Sequence, residues 1–588
     1  MENLLFMKNG QPSAYLTFTL HAHLPYVIHH GTWPHGLEWL HEAAAETYLP
    51  LLGVLRRLER DGIPLKANLS LSPVLLEQLR HPTFREEFPK YIERKMVSAR
   101  EDENYFRQNG EHRFAETAGF WQGFFERTLK DFYDLDRDIV RGFRHFEETG
   151  AIEILTCAAT HGYLPLLGTD ESEAAQILTG VATHERHLGR KPRGMWVPEC
   201  GYRPAGLWQA PVAASGEDVP WPAFRRTGVE EALAEAGIEY FFIDTHLVEE
   251  SIQFTPYQMK SGELGLRLHN LPAHELRRRD DLEAIYRPYL VDGPLAHAHP
   301  VAVFPRDPTT GLQVWSGDSG YPADGNYLDF HKKRWPGGHR YWQVTLAQSD
   351  MALKTPYFPE EALARTKLHA EHFVAMVYDS LKGGFNQERP PILASLFDAE
   401  LFGHWWFEGP VWLEQVARIL AQDDIPIALT TGGEYLTKFP PAATLKLGEG
   451  SWGKNGNNEV WMNAETSWTW THIYRAEKVM REIASEKTGN DDRWRDGGWG
   501  ERIAQQLARE LLLLESSDWQ FLITTAAARD YAEKRFSGHL DQFIELEMLW
   551  AEFAANGSLS QSGQELLAEI EERDKIFADI DPGLWRKG

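Results

Sequence analysis

The chain has 588 residues, 43% of them hydrophobic, more than one ordinary compact core accommodates, which points to a large catalytic domain with additions or to two domains. Sixty basic against 86 acidic residues give a formal charge of −26, a surface that repels phosphate backbones and anionic membranes and so argues against nucleic acid as a partner. Two cysteines, Cys157 and Cys200, are too few for a disulfide framework; with no leader-like N-terminal segment and no uninterrupted apolar span, a cytoplasmic protein without membrane contact is expected.

In chain order, Tyr15 to Leu20 reads as a strand that delivers His21-Ala22-His23-Leu24-Pro25. An aromatic loop with Trp33 and Trp39 follows, then a helix over Glu42 to Glu59 and a strand over Leu65 to Leu71, a βαβ rhythm. From about His81 to Gly150 charged and aromatic residues recur at helical spacing with no strand between them, which predicts an inserted helical subdomain at 91–150. The rhythm resumes with Ala151 to Ala159 ending at Thr160-His161-Gly162, a helix near Glu171 to Leu188, and an apolar run that empties into Trp196-Val197-Pro198-Glu199.

A helix from Glu230 to Ala236 and a strand from Tyr240 to Ile243 lead to Asp244-Thr245-His246. Between His246 and Val301 there is little regular pattern, as in an active-site lid or a disordered insertion, the lid being favoured by the strand signals on either side. Further strands are expected at Val301 to Phe304, Ile392 to Phe397 and Ile425 to Leu429, with helices at Glu360 to Leu381 and Val411 to Leu420. After Pro440 the strands are expected to stop. A Gly/Asn/Trp-rich loop precedes three or four amphipathic helices between Thr471 and Trp585, with Leu507 and Leu511 to Leu514 on one broad apolar face.

Alternating strands and helices imply a parallel sheet, open or closed as a barrel, and in a barrel the C-terminal strand ends share one face. His21, His23, His161, Glu199, His246 and Asp398 all sit at such ends, so closure would gather them. Two carboxylates among His, Arg and Trp suit glycoside chemistry, in which one attacks the anomeric carbon while the other protonates the departing oxygen. A competing reading is a zinc site built from His21, His23, His161 and an Asp, as in a deacetylase. Glu400 and Glu408 near Asp398 read as paired or solvated acids.

The motifs resemble glycoside hydrolase family 57 along nearly the whole chain: His21-Ala22-His23-Leu24-Pro25, Thr160-His161-Gly162, Trp196-Val197-Pro198-Glu199, Phe397-Asp398-Ala399-Glu400-Leu401-Phe402-Gly403-His404-Trp405-Trp406, and the Trp-rich loop, in that order. The resemblance implies an α/β fold, a distorted (β/α)7 barrel with an inserted helical subdomain and a C-terminal helical domain, divided as 1–90 with 151–445, 91–150 and 446–588. It implies retention without metal or other cofactor, Glu199 as nucleophile, Asp398 as general acid/base, and His21, His23 and His161 around the reacting glucose. Ser451-Trp452-Gly453-Lys454-Asn455-Gly456 with Trp461-Met462-Asn463 is similar to the 1,4-α-glucan branching subgroup, which acts on an α-glucan. In that subgroup's pattern Trp39, Trp315, Trp452 and Trp461 form an aromatic glucan track, Arg306 lines the site, and a tyrosine on a mobile loop favours transfer over hydrolysis. Tyr289 is the best match for that tyrosine and Tyr286 the second, the register being blurred because 251–279 departs from the family pattern. An amylase or 4-α-glucanotransferase would share the catalytic pair.

Overall fold

The computed structural model describes residues 11–251, 284–293, 299–346, 350–486, 494 and 497–586. Its strands, in chain order, are β1 (Ala14–Ala22), β2 (Ala67–Leu71), β3 (Ile152–Cys157), β4 (Met195–Trp196), β5 (Gly206–Trp208), β6 (Phe224–Arg226), β7 (Tyr240–Ile243), β8 (Tyr289–Val291), β9 (Ala302–Pro305), β10 (Ile392–Asp398), β11 (Ile427–Leu429) and β12 (Thr444–Leu445). One sheet runs β10-β1-β2-β3-β4, all parallel, with β11 against the start of β1; a second runs β12-β8-β9-β7.

Two parallel bridges, Gly194 to Tyr240 and Arg306 to Ala394, join these sheets, and Arg306 N–H donates to Ile243 O (2.9 Å) while Asp307 N–H donates to Ala394 O (2.8 Å). The result is a curled ring of seven parallel strands, β1-β2-β3-β4-β7-β9-β10. Single bridges in place of full ladders at two seams are what make this barrel distorted.

The ring is filled by its own inward side chains. Tyr15, Leu155, Cys157, Trp196, Cys200, Tyr240, Phe242, Ala302, Phe304, Ile392, Ala394 and Leu396 form a cluster separate from the larger core between strands and helices. Both cysteines belong to this filling and are free. Because side chains alternate along a strand, the inward series can be followed upward. It runs Tyr15, Thr17, Thr19, His21 in β1, Ile392, Ala394, Leu396, Asp398 in β10, Tyr240, Phe242, Asp244 from β7, and Ala302, Phe304, Arg306 from β9. The top layer is therefore ionisable.

Some elements differ from the sequence reading. The helix Pro82–Gln108 begins the inserted helical run and straddles the boundary expected at 90/91; His112–Asp134 and Ile139–Glu148 complete it. β8 lies in the stretch read as patternless and β12 beyond the point where strands were expected to stop, and the two pair with each other. Residues 252–283, read as part of a lid, lie outside the described residues. The C-terminal part has five helices among the described residues, Ser467–Ser485, Trp499–Leu514, Asp518–Thr524, Arg529–Asn556 and Gln561–Arg573. Leu507 and Leu511 to Leu514 are buried. This part docks on the end of β3, where Ser517 N–H donates to His161 O (3.1 Å) and Gln176 Nε2 donates to Glu515 (2.8 Å). No described helix is long and apolar enough to cross a membrane.

Gly403, just beyond β10, has φ +113° and sits so near the Glu46 carbonyl that a Cβ there would lie 1.8 Å from the oxygen. Gly403→Ala is expected to destabilise the fold by about 2–4 kcal/mol, from overpacking plus backbone strain, read as a lower unfolding midpoint in urea or heat.

Candidate active site

The site is the open top of the ring. His21 and Asp398 are register partners across β1 and β10. The chain leaves β4 through a 3₁₀ turn, Pro198–Cys200, in which Glu199 and Cys200 both have positive φ, 59° and 47°; His161, after β3, has φ 62°. Non-glycine residues in the left-handed region cost energy and persist where surrounding contacts hold them. Here they aim Glu199 across the mouth.

Two bonds from the loop after β12 hold that turn. Trp452 N–H donates to Glu199 O (3.0 Å) and Trp452 Nε1–H donates to Glu199 Oε2 (2.6 Å). The other carboxylate oxygen is 3.9 Å from His161 Nδ1. Burial pushes Glu199 up to about 8, opposed by the Trp452 bond and reinforced by the charge of Asp398. Burial also raises Asp398, to about 6, opposed by His23 and Arg306. Glu199 thus feels the charge of Asp398. Arg306 lies with its guanidinium 5.3 Å from the Trp452 ring and Nη1 3.3 Å from Asp244 Oδ2.

The three histidines form one stack. His23 and His161 rings lie 4.1 Å apart, His21 lies 5.0 Å from His161, and His21 rests on the Trp196 indole at 4.6 Å. His21 Nε2 and His161 Nε2 share a hydrogen bond (3.1 Å), and their Nδ1 atoms reach Ser70 Oγ (3.0 Å) and Ser517 Oγ (2.8 Å). Burial and the neighbouring imidazoles hold both well below the usual histidine range, so both are neutral at pH 7. His23 Nδ1 meets Ser72 Oγ (3.0 Å) and its Nε2 meets Asp518 Oδ2 (2.9 Å). Burial would raise Asp518, but the charge of His23 and its hydrogen bond hold it down at about 2.

Asp518, Ser516 and Ser517 come from the C-terminal helices and were not picked out from sequence, where they registered only as a polar break in an apolar run. Glu400 is likewise closer than expected: its Oε1 accepts from Tyr48 OH (2.5 Å) and from His23 N (3.3 Å), and burial pushes it up to about 8. Glu408, buried, accepts from Tyr357 OH (2.7 Å) away from these groups. His246 reaches Gly456 O (3.1 Å) and pairs with Asp244.

Of the expected aromatic track, Trp452 touches Glu199. Trp315 is 42% exposed against Trp405, and Trp39 is half-buried beside His35 and Tyr531. Trp461 departs from the track, being 1% exposed and stacked on Tyr163 at 4.1 Å, so it supports the loop from beneath. Tyr289 is not on a loop: it lies in β8, buried, its hydroxyl donating to Ala284 O (2.5 Å). Tyr286, also buried, donates to Asp307 Oδ1 (3.0 Å). Neither is placed to sweep over the cleft.

Among the described residues two groups bring potential metal-binding atoms within 4.8 Å of one another: His21, Cys157 and His161 in the mouth, and His30, His539 and Asp574. The first differs from the sequence-based metal set, since His23 is engaged by Asp518 and a buried thiol, which burial keeps protonated, stands where a carboxylate was expected. Zinc binding by that trio would require the thiol to lose its proton.

The glycosyl hydrolase family 57 model matches residues 17–448, and the model for the C-terminal part of 1,4-alpha-glucan branching enzyme matches 472–585. The 1,4-alpha-glucan branching enzyme TK1436 of Thermococcus kodakarensis is 39% identical over 573 residues, 97% of this chain and 78% of that protein. Its crystal structure, in complex with glucose and additives, superposes with a TM-score of 0.86 at 38% identity over 98% of this chain and 97% of that one. A branching enzyme structure of the same family from Pyrococcus horikoshii gives 0.84 at 39% identity, covering 98% and 97%. The alpha-amylase AmyC of Thermotoga maritima gives 0.77 at 27%, covering 98% and 99%. With both its barrel and its helical tail matched, and the motif residues gathered at one mouth, the chain belongs to glycosyl hydrolase family 57.

Proposed function

We propose that this chain is a retaining 1,4-α-glucan branching enzyme in which Glu199 is the nucleophile and Asp398 the general acid and base. The observation that carries the reading is that the paired acids share their cleft with the branching-type C-terminal part, which reaches in through Ser517 and Asp518 to hold His161 and His23. Such a tail belongs to the site. The division into a barrel of 1–90 and 151–445, an insert and a helical domain from 446 is part of the proposal.

Retention needs one acid ionised and the other protonated before the first step. Burial raises both, and two like charges resist ionising together, so the pair holds one proton between about pH 6 and about pH 8. The higher value assigns that proton to Glu199. A bound glucan changes the balance: its glycosidic oxygen accepts from the carboxyl facing it, and the Trp452 indole N–H already stabilises an anionic Glu199. Binding moves the proton to Asp398.

Glu199 then attacks the anomeric carbon of an internal α-1,4 linkage, and Asp398 gives its proton to the leaving chain. In the second step ionised Asp398 takes the proton of an acceptor's 6-hydroxyl, whose oxygen displaces Glu199 and forms the α-1,6 branch. Neutral His21 and His161, whose ring nitrogens are taken up by each other, Ser70 and Ser517, line the cleft as an uncharged wall. The products place the chain in the synthesis of glycogen-like polymers in the cytoplasm. Hydrolysis by the same pair is the second reading, favoured by the likeness to AmyC.

On amylose, iodine colour should fall and a debranching enzyme should release new short chains with few new reducing ends; mainly rising reducing ends would instead identify an amylase. EDTA should leave the rate unchanged, and chelator inhibition would point to the histidine and cysteine trio. Glu199→Gln should lower turnover by about a thousandfold or more with the thermal midpoint retained. The pH profile of kcat/KM should be a bell: below about 6 both acids are protonated and the nucleophile is lost, and above about 8 both are ionised and the acid is lost. A flat profile from pH 5 to 9 would refute the shared proton.

A further inference from the structure

A cavity of about 280 Å³ lies among helices, where Leu49–Arg60 meets His112–Asp134 of the insert and the first turn of Gly409–Leu420. Phe120, Phe124, Phe407, Leu363 and Pro410 give it walls of carbon, and Leu363, 45% exposed, stands on its solvent side. The three phenyl rings pack together, Phe407 lying 5.9 Å from Phe120 and 5.4 Å from Phe124 with planes at 78° and 59°.

Against this apolar lining stands one acid, Glu408, which is 1% exposed. Its Oε1 accepts from Tyr357 OH (2.7 Å) and from Leu328 N (3.1 Å), whereas its Oε2 has no hydrogen-bond partner among the described residues. Burial pushes the carboxyl up to about 7, against those two bonds and the charge of Arg340. A buried carboxylate oxygen without a donor is costly. The other polar groups around the cavity are already engaged. Arg57 donates to Glu414 through Nη2 (2.7 Å) and Nε (2.8 Å), and Thr128 Oγ1 donates to Phe124 O (2.9 Å). Asp131 pairs with Arg56 (3.2 Å) and Glu46 accepts from Arg340 (2.7 Å). Arg127, which also lines the space, is exposed and keeps its charge in water.

This lining selects among occupants. A sugar would turn several hydroxyls toward phenyl carbon with nothing to bond, and an anion would meet the Glu408 carboxyl. An ammonium group brings three donors and a positive charge, so it satisfies the orphan oxygen, compensates the acid and is attracted to the faces of the phenylalanines. We propose that this cavity binds a small organic ammonium ion with an apolar body, its nitrogen donating to Glu408 Oε2 and its carbon skeleton lying among Phe120, Phe124 and Phe407. Nothing in this chemistry depends on the glucan reaction, yet the cavity adjoins the catalytic motif. The helix on one wall is preceded by a π turn, Ala44–Tyr48, a device that recurs at functional sites. From that turn Tyr48 OH donates to Glu400 (2.5 Å), two residues from Asp398, and Glu46 Oε2 meets His404 Nδ1 (3.3 Å). An occupant would rest against the segment that supports Glu400.

The probe is benzylamine, an ammonium ion at about pH 8, titrated calorimetrically into the full chain with benzyl alcohol, benzoate and glucose as comparisons. Benzylamine should bind at least about tenfold more tightly than each of the three. Glu408→Gln, which keeps an oxygen for Tyr357 and Leu328 but removes the charge, should weaken it about tenfold or more. Gly53→Leu should abolish it: Gly53 lines the cavity within a helix, and a Cβ there meets only the tip of Arg57, 3.3 Å away, so a leucine fills the space on a backbone that suits it. Thermal midpoints within about 3 °C of the unmutated chain show that the variants fold, and if Glu408→Gln does not, Gly53→Leu alone decides. Glu199→Gln should leave the binding intact; loss there with retention in Gly53→Leu would put the amine on the catalytic acids and overturn the site. Binding within about twofold of the unmutated chain in both cavity variants would also overturn it. Benzyl alcohol, benzoate or glucose binding as tightly as benzylamine would overturn the ammonium, and no binding of benzylamine up to about 10 mM would overturn the cavity as a ligand site.

Discussion

Everything at this site depends on the alternation of side chains inside the ring. In β1, β7, β9 and β10 the inward row is apolar or hydroxyl-bearing up to the last position, and there the row meets the cleft instead of another layer. An ionisable group placed lower would be a buried charge without water or partner, a cost of several kcal/mol. Placed in the top layer, His21, Asp244, Arg306 and Asp398 have apolar floors and polar neighbours. The floor supplies the desolvation that raises Asp398, and the neighbours supply the charges that limit the rise.

The helical tail extends that logic from above. A histidine packed against other histidines tends to lose its proton, and His21 and His161 do so. His23 Nε2 meets the carboxylate of Asp518, which is strongly held in its ionised form. One carboxylate from the tail therefore fixes the ring orientation of a histidine on the first strand. Ser517 does the same for His161, and its backbone N–H also holds the His161 carbonyl. The stack of imidazoles is assembled from two parts of the chain, so barrel and tail cannot be separated without disordering the subsite.

Much of this was legible in sequence because strand ends announce themselves. Apolar runs that stop at His21, His161, Glu199 and Asp398 carry both the strand signal and the change to chemistry. The short strands β8 and β12 carry neither, since two or three residues cannot display a period, and only pairing defines them, β12 with β8 and β8 with β9. Asp518 was invisible for another reason: its role depends on where a turn between helices lands, which no local pattern encodes. Trp461 and Tyr289 show the reverse failure. An aromatic residue in a Gly-rich or Pro-rich stretch looks the same whether it faces a ligand or, as here, packs on Tyr163 or closes against Ala284 O.

The backbone at Glu199 shows how the remaining specificity is held. Its positive φ is a conformation that a glutamate adopts at a cost, and nothing in the turn Pro198–Cys200 alone compensates it. The compensation comes from Trp452, whose main-chain and indole N–H groups grip the Glu199 carbonyl and carboxylate together. The same indole packs edge-on against Trp196, the floor under His21, at 5.0 Å and stands beside the Arg306 guanidinium that faces Asp398. One residue thus grips Glu199 at both carbonyl and carboxylate, favours its ionised form, and stands beside the Arg306 guanidinium. The loop bearing Trp452 lies between β12 and the first C-terminal helix, so the hold on Glu199 comes from the stretch of chain that leads into the tail.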